Sequence, residues 1–128
     1  MIEKLTLQEE EAMLIVWKLD GGFIKDFLNE YPEPKPPYTT LASIVKNLER
    51  KSYVQSVRYG NTYLYRPQVD EKTYKTTFIS GFVKDYFANS YKELVSFFAR
   101  EEKISPKDLK EIIALIGSES EQKKRNNP

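Results

Sequence analysis

"YTTLASIVKNLERKSYVQSVRYGNTYLYRP", Tyr38 to Pro67, changes its period half-way along. In the first half apolar residues recur every three or four positions. At about 100° per residue, Leu41, Ile44, Val45 and Leu48 share one face of a helix expected from about Thr39 to Lys51. Thr39, Ser43, Lys46 and Arg50 fall on the opposite face, with Asn47 beside them. The second half is rich in β-formers and predicts two strands, Tyr53 to Tyr59 and Thr62 to Arg66. Gly60-Asn61 between them is a two-residue hairpin connection, and Pro67 ends the second strand.

Outward from this stretch, the N-terminal side reads as two further helices. Thr6 followed by Glu9 is a capping box, and Leu7, Met13, Leu14 and Trp17 form an apolar stripe that stops near Gly21-Gly22. Met13 and Trp17 are read as core. Residues 23–31 place Phe23, Phe27 and Leu28 on one side of a short second helix, which "PEPKPP" (Pro32 to Pro37) breaks. The order helix, helix, helix, strand, turn, strand describes a winged helix, a variant of helix-turn-helix. In that architecture the third helix enters the major groove of DNA and the hairpin grips the neighbouring backbone.

Charge supports that use locally. The whole chain carries a formal charge of only +1. Residues 36–66, however, hold Lys46, Arg50, Lys51, Arg58 and Arg66 against Glu49 alone. Phosphate attraction is local, so a concentrated patch serves where net charge does not. Hydroxyl and amide groups set among long cations suit groove reading, which marks Thr39, Ser43, Lys46, Asn47 and Arg50 on the helix. Arg58, Tyr59, Asn61 and Tyr63 on the hairpin are marked as phosphate contacts. The alternative reading is an ordinary solvated face, with the winged helix used as a protein–protein module that binds no specific DNA.

Composition excludes most chemistry. With 0 His and 0 Cys the chain lacks the commonest general base, the commonest metal ligand and any thiol nucleophile. Glu9, Glu10 and Glu11 are better read as an acidic first helical turn, favoured by the helix dipole, than as acid–base groups. No phosphate loop or nucleophile–base pair is present, so no enzyme, cofactor or metal is expected. The charged N-terminus has no apolar signal core, and the apolar run from Ala12 to Trp17 is too short to span a bilayer. A cytoplasmic protein with no membrane partner is expected.

Beyond Pro67 the character changes. Asp70 is a candidate N-cap for a long helical stripe of Tyr74, Phe78, Phe82, Tyr86, Tyr91, Leu94, Val95 and Phe98. Ser105-Pro106 with Asp108 opens another helix, carrying Ile112, Ile113, Leu115 and Ile116. Two such helices cannot bury both apolar faces alone, so a homodimer through these residues is expected. Gly117 onward lacks apolar residues and is expected to be disordered. The division is therefore 1–67 for the winged helix, 70–116 for dimerisation helices and 117–128 for the tail.

Four segments in this order resemble the penicillinase repressor family of winged-helix transcriptional repressors. They are "LTLQEEEAMLIVW", "TTLASIVKNLERKSYV", "RYGNTYLYRP" and "ELVSFFAREEKISPKDLKEIIALI", which together cover roughly residues 5–116. The resemblance implies a mainly α fold with a small β-hairpin, a winged helix-turn-helix domain plus C-terminal dimerisation helices. It implies a repressor that occupies a palindromic operator of double-stranded DNA, and it places Thr40 with Ser43 at the family's two hydroxyl positions on the third helix. Three departures stand out: Asn47 where the family usually has arginine, Ser52 where it has glycine, and Asn61 where it has a basic residue in the wing. In the β-lactamase branch a signalling protease cuts an Asn-Phe bond in the penultimate helix; the corresponding pair here is Phe97-Phe98. The copper branch uses C-terminal cysteines, which this chain lacks.

Overall fold

A computed structural model describes residues 2–126, with side chains described as far as Ser118. The elements run α1 (Leu7–Leu19), α2 (Ile24–Asn29), α3 (Tyr38–Arg50), β1 (Val54–Tyr59), β2 (Thr62–Pro67), α4 (Glu71–Phe87), α5 (Tyr91–Arg100) and α6 (Pro106–Asn126). They fall into two compact units, Met1–Phe78 and Ile79–Pro128. The chain is mainly helical with one two-stranded antiparallel hairpin, and its first unit is a winged helix.

Local rules fix most of the first unit. Thr6 and Glu9 form the expected capping box, each accepting from the other's backbone N–H at 3.2 and 2.9 Å. α1 stops where Asp20 turns left-handed at φ 56°. Gly21 and Gly22 then pass close under β2. Gly22 exchanges two 2.9 Å backbone bonds with Tyr65. Gly21 sits at φ 96°, and a Cβ there would lie 2.4 Å from the Tyr65 carbonyl oxygen, so no side chain fits. α3 ends in a Schellman closure: Tyr53 N–H bonds Leu48 O at 2.9 Å and Ser52 N–H bonds Glu49 O at 3.0 Å. Ser52 holds the left-handed position of that closure at φ 67°.

The core lies where α1, α2, α3 and the base of the hairpin converge. Met13, Val16, Phe27, Leu41, Val45, Leu48, Tyr53 and Val54 are fully buried there. Ile44, expected among them, is half-buried at the edge. Leu7 and Leu14, expected in the α1 stripe, are exposed, and Glu9 takes a buried place on that face instead. Trp17 is half-buried and anchored, its ring N–H donating to Val69 O at 2.7 Å.

The winged-helix unit continues past Pro67, where the sequence suggested a boundary, to Phe78. Asp70 caps α4 as expected, accepting from the N–H groups of Lys72 and Thr73. Tyr74, one turn in, packs its ring on Trp17 and Tyr53 at 5.3 and 5.9 Å and donates its hydroxyl to Glu10. Tyr74 therefore belongs to the first unit's packing and not to the apolar stripe in which its spacing placed it. A tyrosine that can bury its ring beside Trp17 and still bond a carboxylate gains both terms.

In the second unit the expected long helix is broken. Ala88 and Asn89 adopt φ 50° and 63°, and Ser90 caps α5 by accepting from Glu93 N–H at 3.1 Å. Phe82 lies 4.9 Å from Tyr86 and 5.8 Å from Phe87, and Phe87 lies 5.7 Å from Phe97. Val83 is fully buried. Ser105 and Asp108 cap α6 reciprocally. α6 runs on to Asn126, so the backbone of residues 117–126 is helical where disorder was expected. Absence of apolar residues removes a core but not helix propensity, and Glu, Gln, Lys and Arg dominate that stretch. The last two tail residues, 127–128, lie outside the described residues. No helix among the described residues is long and apolar enough to cross a membrane.

Candidate nucleic-acid interface

α3 has one buried side and one open side, as its strong amphipathic period dictates. Leu41, Val45 and Leu48 point into the core. Thr39, Thr40, Ser43, Lys46, Asn47 and Arg50 are all exposed. Thr39, Ser43, Lys46 and Arg50 fall within about 60° of one another around the helix, with Asn47 adjoining, by the 100° step. Thr40 lies to one flank, where with Ile44 it borders a cleft against α1 and the proline-rich connection. Tyr38, at the first turn and 50% exposed, is an open side chain on this helix that the period did not single out.

The hairpin register sorts the wing residues by face. Arg58 pairs with Tyr63, Tyr59 with Thr62, and Ser56 with Tyr65. Since side chains alternate, Arg58 and Tyr63 share the face of Ser56 and Tyr65, which is the face turned to α3. Ser56 fixes that orientation: its N–H and hydroxyl both donate to Glu49 on α3, at 3.1 and 2.5 Å. Tyr59 is on the other face, 6.0 Å edge-on from Phe23, and 64% exposed. Asn61 is exposed at the tip, beside Gly60, whose φ of 63° suits the first central position of a tight turn. The ten marked residues thus stay on the surface, but the wing splits its four between two faces and a tip.

The electrostatics are sharper than the sequence count. Lys51 leaves the patch: its side chain is only 11% exposed and bonds Glu9 at 2.6 Å and Lys4 O at 3.1 Å. Glu9 is buried as well, at 7%. Burial alone would push its carboxyl up, but the Lys51 hydrogen bond and charge, with the Thr6 N–H, hold it below the ordinary 4.5. Glu9 is therefore a structural anion and more than a helix-dipole partner, a role its position in an acidic run concealed. Glu49, the acidic residue of the stretch, is engaged by Ser56. Among the described residues Lys46, Arg50, Arg58 and Arg66 form no ion pair, and Arg58 turns its Nε toward Gly60 O at 3.3 Å. Four cations without a protein anion among the described residues thus remain on or beside α3 and the wing.

In the second unit Tyr86, Tyr91, Val95, Phe98, Ile112, Ile113 and Ile116 are exposed, Phe82 and Leu94 are half-buried, and Phe78 is exposed at the end of the first unit. Phe87 and Phe97, which the helical stripe passed over, pack on each other because α4 ends at Phe87. The Phe97–Phe98 bond lies inside α5.

The chain matches the family model described as Penicillinase repressor over residues 5–118. It is similar to the "Penicillinase repressor" of Bacillus licheniformis, 20% identical over 128 residues, covering 96% of this chain and 97% of the relative. It is likewise similar to the "Penicillinase repressor" of Staphylococcus aureus, 20% identical over 122 residues, covering 93% and 95%. Among solved structures, that of a cysteine-to-serine mutant of Lactococcus lactis ZitR aligns with a TM-score of 0.41 and 12% identity, over 94% of this chain and 79% of that one.

Proposed function

We propose that this chain, which belongs to the penicillinase repressor family of winged-helix transcriptional regulators, acts as a homodimer on a two-fold symmetric operator. Lys46 and Arg50 on the open side of α3, with Arg58 on the wing face turned to that helix, are left without protein anions and carry the reading, since a duplex offers phosphates to a helix and an adjoining wing. Ser43, on the open face, and Asn47, adjoining it, are short and polar and read base edges. Arg58 and Tyr63 hold the flanking backbone on the α3 side of the wing. The exposed isoleucines of α6 and the aromatic residues of α4 and α5 join two copies, and two-fold protein symmetry then requires two-fold operator symmetry. Occupancy of that site blocks transcription.

The test is a salt titration of the full chain on a duplex selected from random sequence. Log affinity should fall linearly with log salt, by about 0.9 per phosphate contact. Arg58→Ala should weaken binding to all duplexes alike and reduce the slope by about one. Asn47→Ala should instead erase roughly 1–3 kcal/mol of discrimination at one base position. A chain that binds selected and random duplexes equally would not be an operator-specific repressor, and one that binds neither would be a winged helix used on protein.

A further inference from the structure

We propose that the cleft between α1, the proline-rich connection and α3 is a binding site for a small organic ammonium ion. The cleft has a volume of about 280 Å³. Glu11 of α1 and Glu33 of the connection line it, together with Tyr31, Pro34, Thr40 and Ile44. No Lys or Arg is among the lining residues. Neither carboxylate makes an ion pair among the described residues. The nearest lysine in sequence, Lys35, is committed elsewhere: its ammonium donates to the carbonyls of Leu28, Asn29 and Tyr31 at 3.2, 3.1 and 2.6 Å. The lining therefore carries two carboxylates and no cationic side chain, and the neighbouring Lys35 is bound to carbonyls and not to either carboxylate.

Tyr31 is the second, independent sign. Its side chain belongs to the core, with the residue only 7% exposed, yet among the described residues its hydroxyl has no hydrogen-bond partner. It is not one of the fully enclosed orphan groups, so the hydroxyl keeps some exposure, and Tyr31 is among the residues that line the cleft. Burial and then the Glu11 charge push that hydroxyl up to about 12, which places the Glu11 carboxylate within electrostatic reach of a neutral phenol. A phenol oxygen in that state accepts a hydrogen bond from an N–H donor. An ammonium group placed between the phenol and the Glu11 carboxylate satisfies both.

The lining also decides which cation. Among the described residues no three carboxylate, imidazole or thiolate groups gather as a metal ion requires. Besides the polar Gln8 and Thr40, the rest of the lining, its prolines and Ile44 with the Tyr31 ring, is apolar and suits a carbon body. Pockets for drug-sized ligands run from about 300 to 1,000 Å³, so this occupant is smaller, a single ring or a short chain. Ile44 and Thr40 belong to α3, so the occupant touches that helix on its flank, beside the open face. The site stands whether or not α3 reads DNA.

Benzylammonium is the probe, titrated into the full-length chain with backbone amide shifts read by NMR. Benzyl alcohol and benzoate serve as neutral and anionic controls of the same shape. Saturable shifts are expected at Tyr31, Thr40 and Ile44, with benzyl alcohol at least about tenfold weaker and benzoate not bound. Glu11→Gln, an exposed change outside the core, should weaken benzylammonium about tenfold, and Tyr31→Phe should weaken it severalfold while keeping the ring. The assignment is overturned if no saturable shift occurs at these residues, if benzyl alcohol binds as well as benzylammonium, or if Glu11→Gln binds undiminished.

Discussion

In the first unit Met13, Val16, Leu41, Val45 and Leu48 are fully withdrawn from solvent, while in the second Ile112, Ile113, Leu115 and Ile116 stand 43 to 67% exposed. Both sets follow a helical period, and both are as apolar as a core requires. The difference is convergence. Three helices and a hairpin meet around Leu41, whereas in the second unit Val83 alone of the described residues is buried completely. A periodic apolar face shows that a helix needs a partner; it does not say whether the partner is in the same chain. On the dimer reading, the second unit completes its core from another copy, and each half of the molecule then answers to different perturbations.

The strongest break should come from charging the exposed face. Ile113→Glu combined with Ile116→Glu should leave the chain monomeric in sedimentation at concentrations where the native chain is dimeric. Affinity for a two-site duplex should drop by roughly 10²–10⁴, because the second half-site is no longer held near the first. Trp17 fluorescence should not change, since that residue belongs to the other unit. A doubly charged variant that still sediments as a dimer would show that α6 is not the joining surface.

Next in size is the buried ion pair that closes the first unit. Lys51→Met leaves the Glu9 carboxylate buried without its cation, which should cost about 3–5 kcal/mol in urea unfolding followed by Trp17. The control is Lys75→Met. The Lys75–Glu71 pair, at 3.2 Å, is 65% and 43% exposed, and its loss should cost about 0.5 kcal/mol or less. Acid adds a sign test. The native Glu9 carboxyl lies below 4.5, so its stabilisation is present above pH 4.5 and fades as pH falls through the folded value. Without Lys51, burial raises that carboxyl instead, and the variant should recover stability relative to the native chain as pH is lowered. If both proteins lose stability in parallel from pH 7 to 4, Lys51 is not what holds Glu9 ionised.

What was legible in the sequence was what local spacing controls. The three caps, Thr6 with Glu9, Asp70, and Ser105 with Asp108, are contacts across two or three residues, so the side chains that make them are neighbours in the text. The open face of α3 followed from its period alone. The illegible features are those in which distant positions meet. Glu9 finds Lys51 across 42 residues and Tyr74 finds Glu10 across 64, and no periodic signal marks either pair. The break between α4 and α5 was hidden because Ala88 and Asn89 take left-handed backbone without a glycine or proline to announce it. Wing residues could be marked but not assigned to faces, because that needs the register Arg58–Tyr63.

The smallest effect compares two helix ends of identical construction, one in each unit. α3 closes with Ser52 at φ 67°, Tyr53 N–H on Leu48 O and Ser52 N–H on Glu49 O. α5 closes with Glu102 at φ 58°, Lys103 N–H on Phe98 O and Glu102 N–H on Ala99 O. Each places an L-residue where glycine is favoured, at a cost of about 1–2 kcal/mol from Cβ crowding. Glycine removes that cost but enlarges the unfolded ensemble by roughly 0.4–1 kcal/mol, so a net gain of about 0.5–1 kcal/mol is expected at each site. The two gains should appear in different places. Ser52→Gly should raise the Trp17-monitored urea midpoint independently of protein concentration, because the first unit holds its own core. Glu102→Gly should leave that midpoint alone and shift a transition that depends on concentration, because on the dimer reading the second unit completes its core from another copy. If Glu102→Gly stabilises the chain equally at every concentration, the second unit folds without a partner and its exposed isoleucines have some other use.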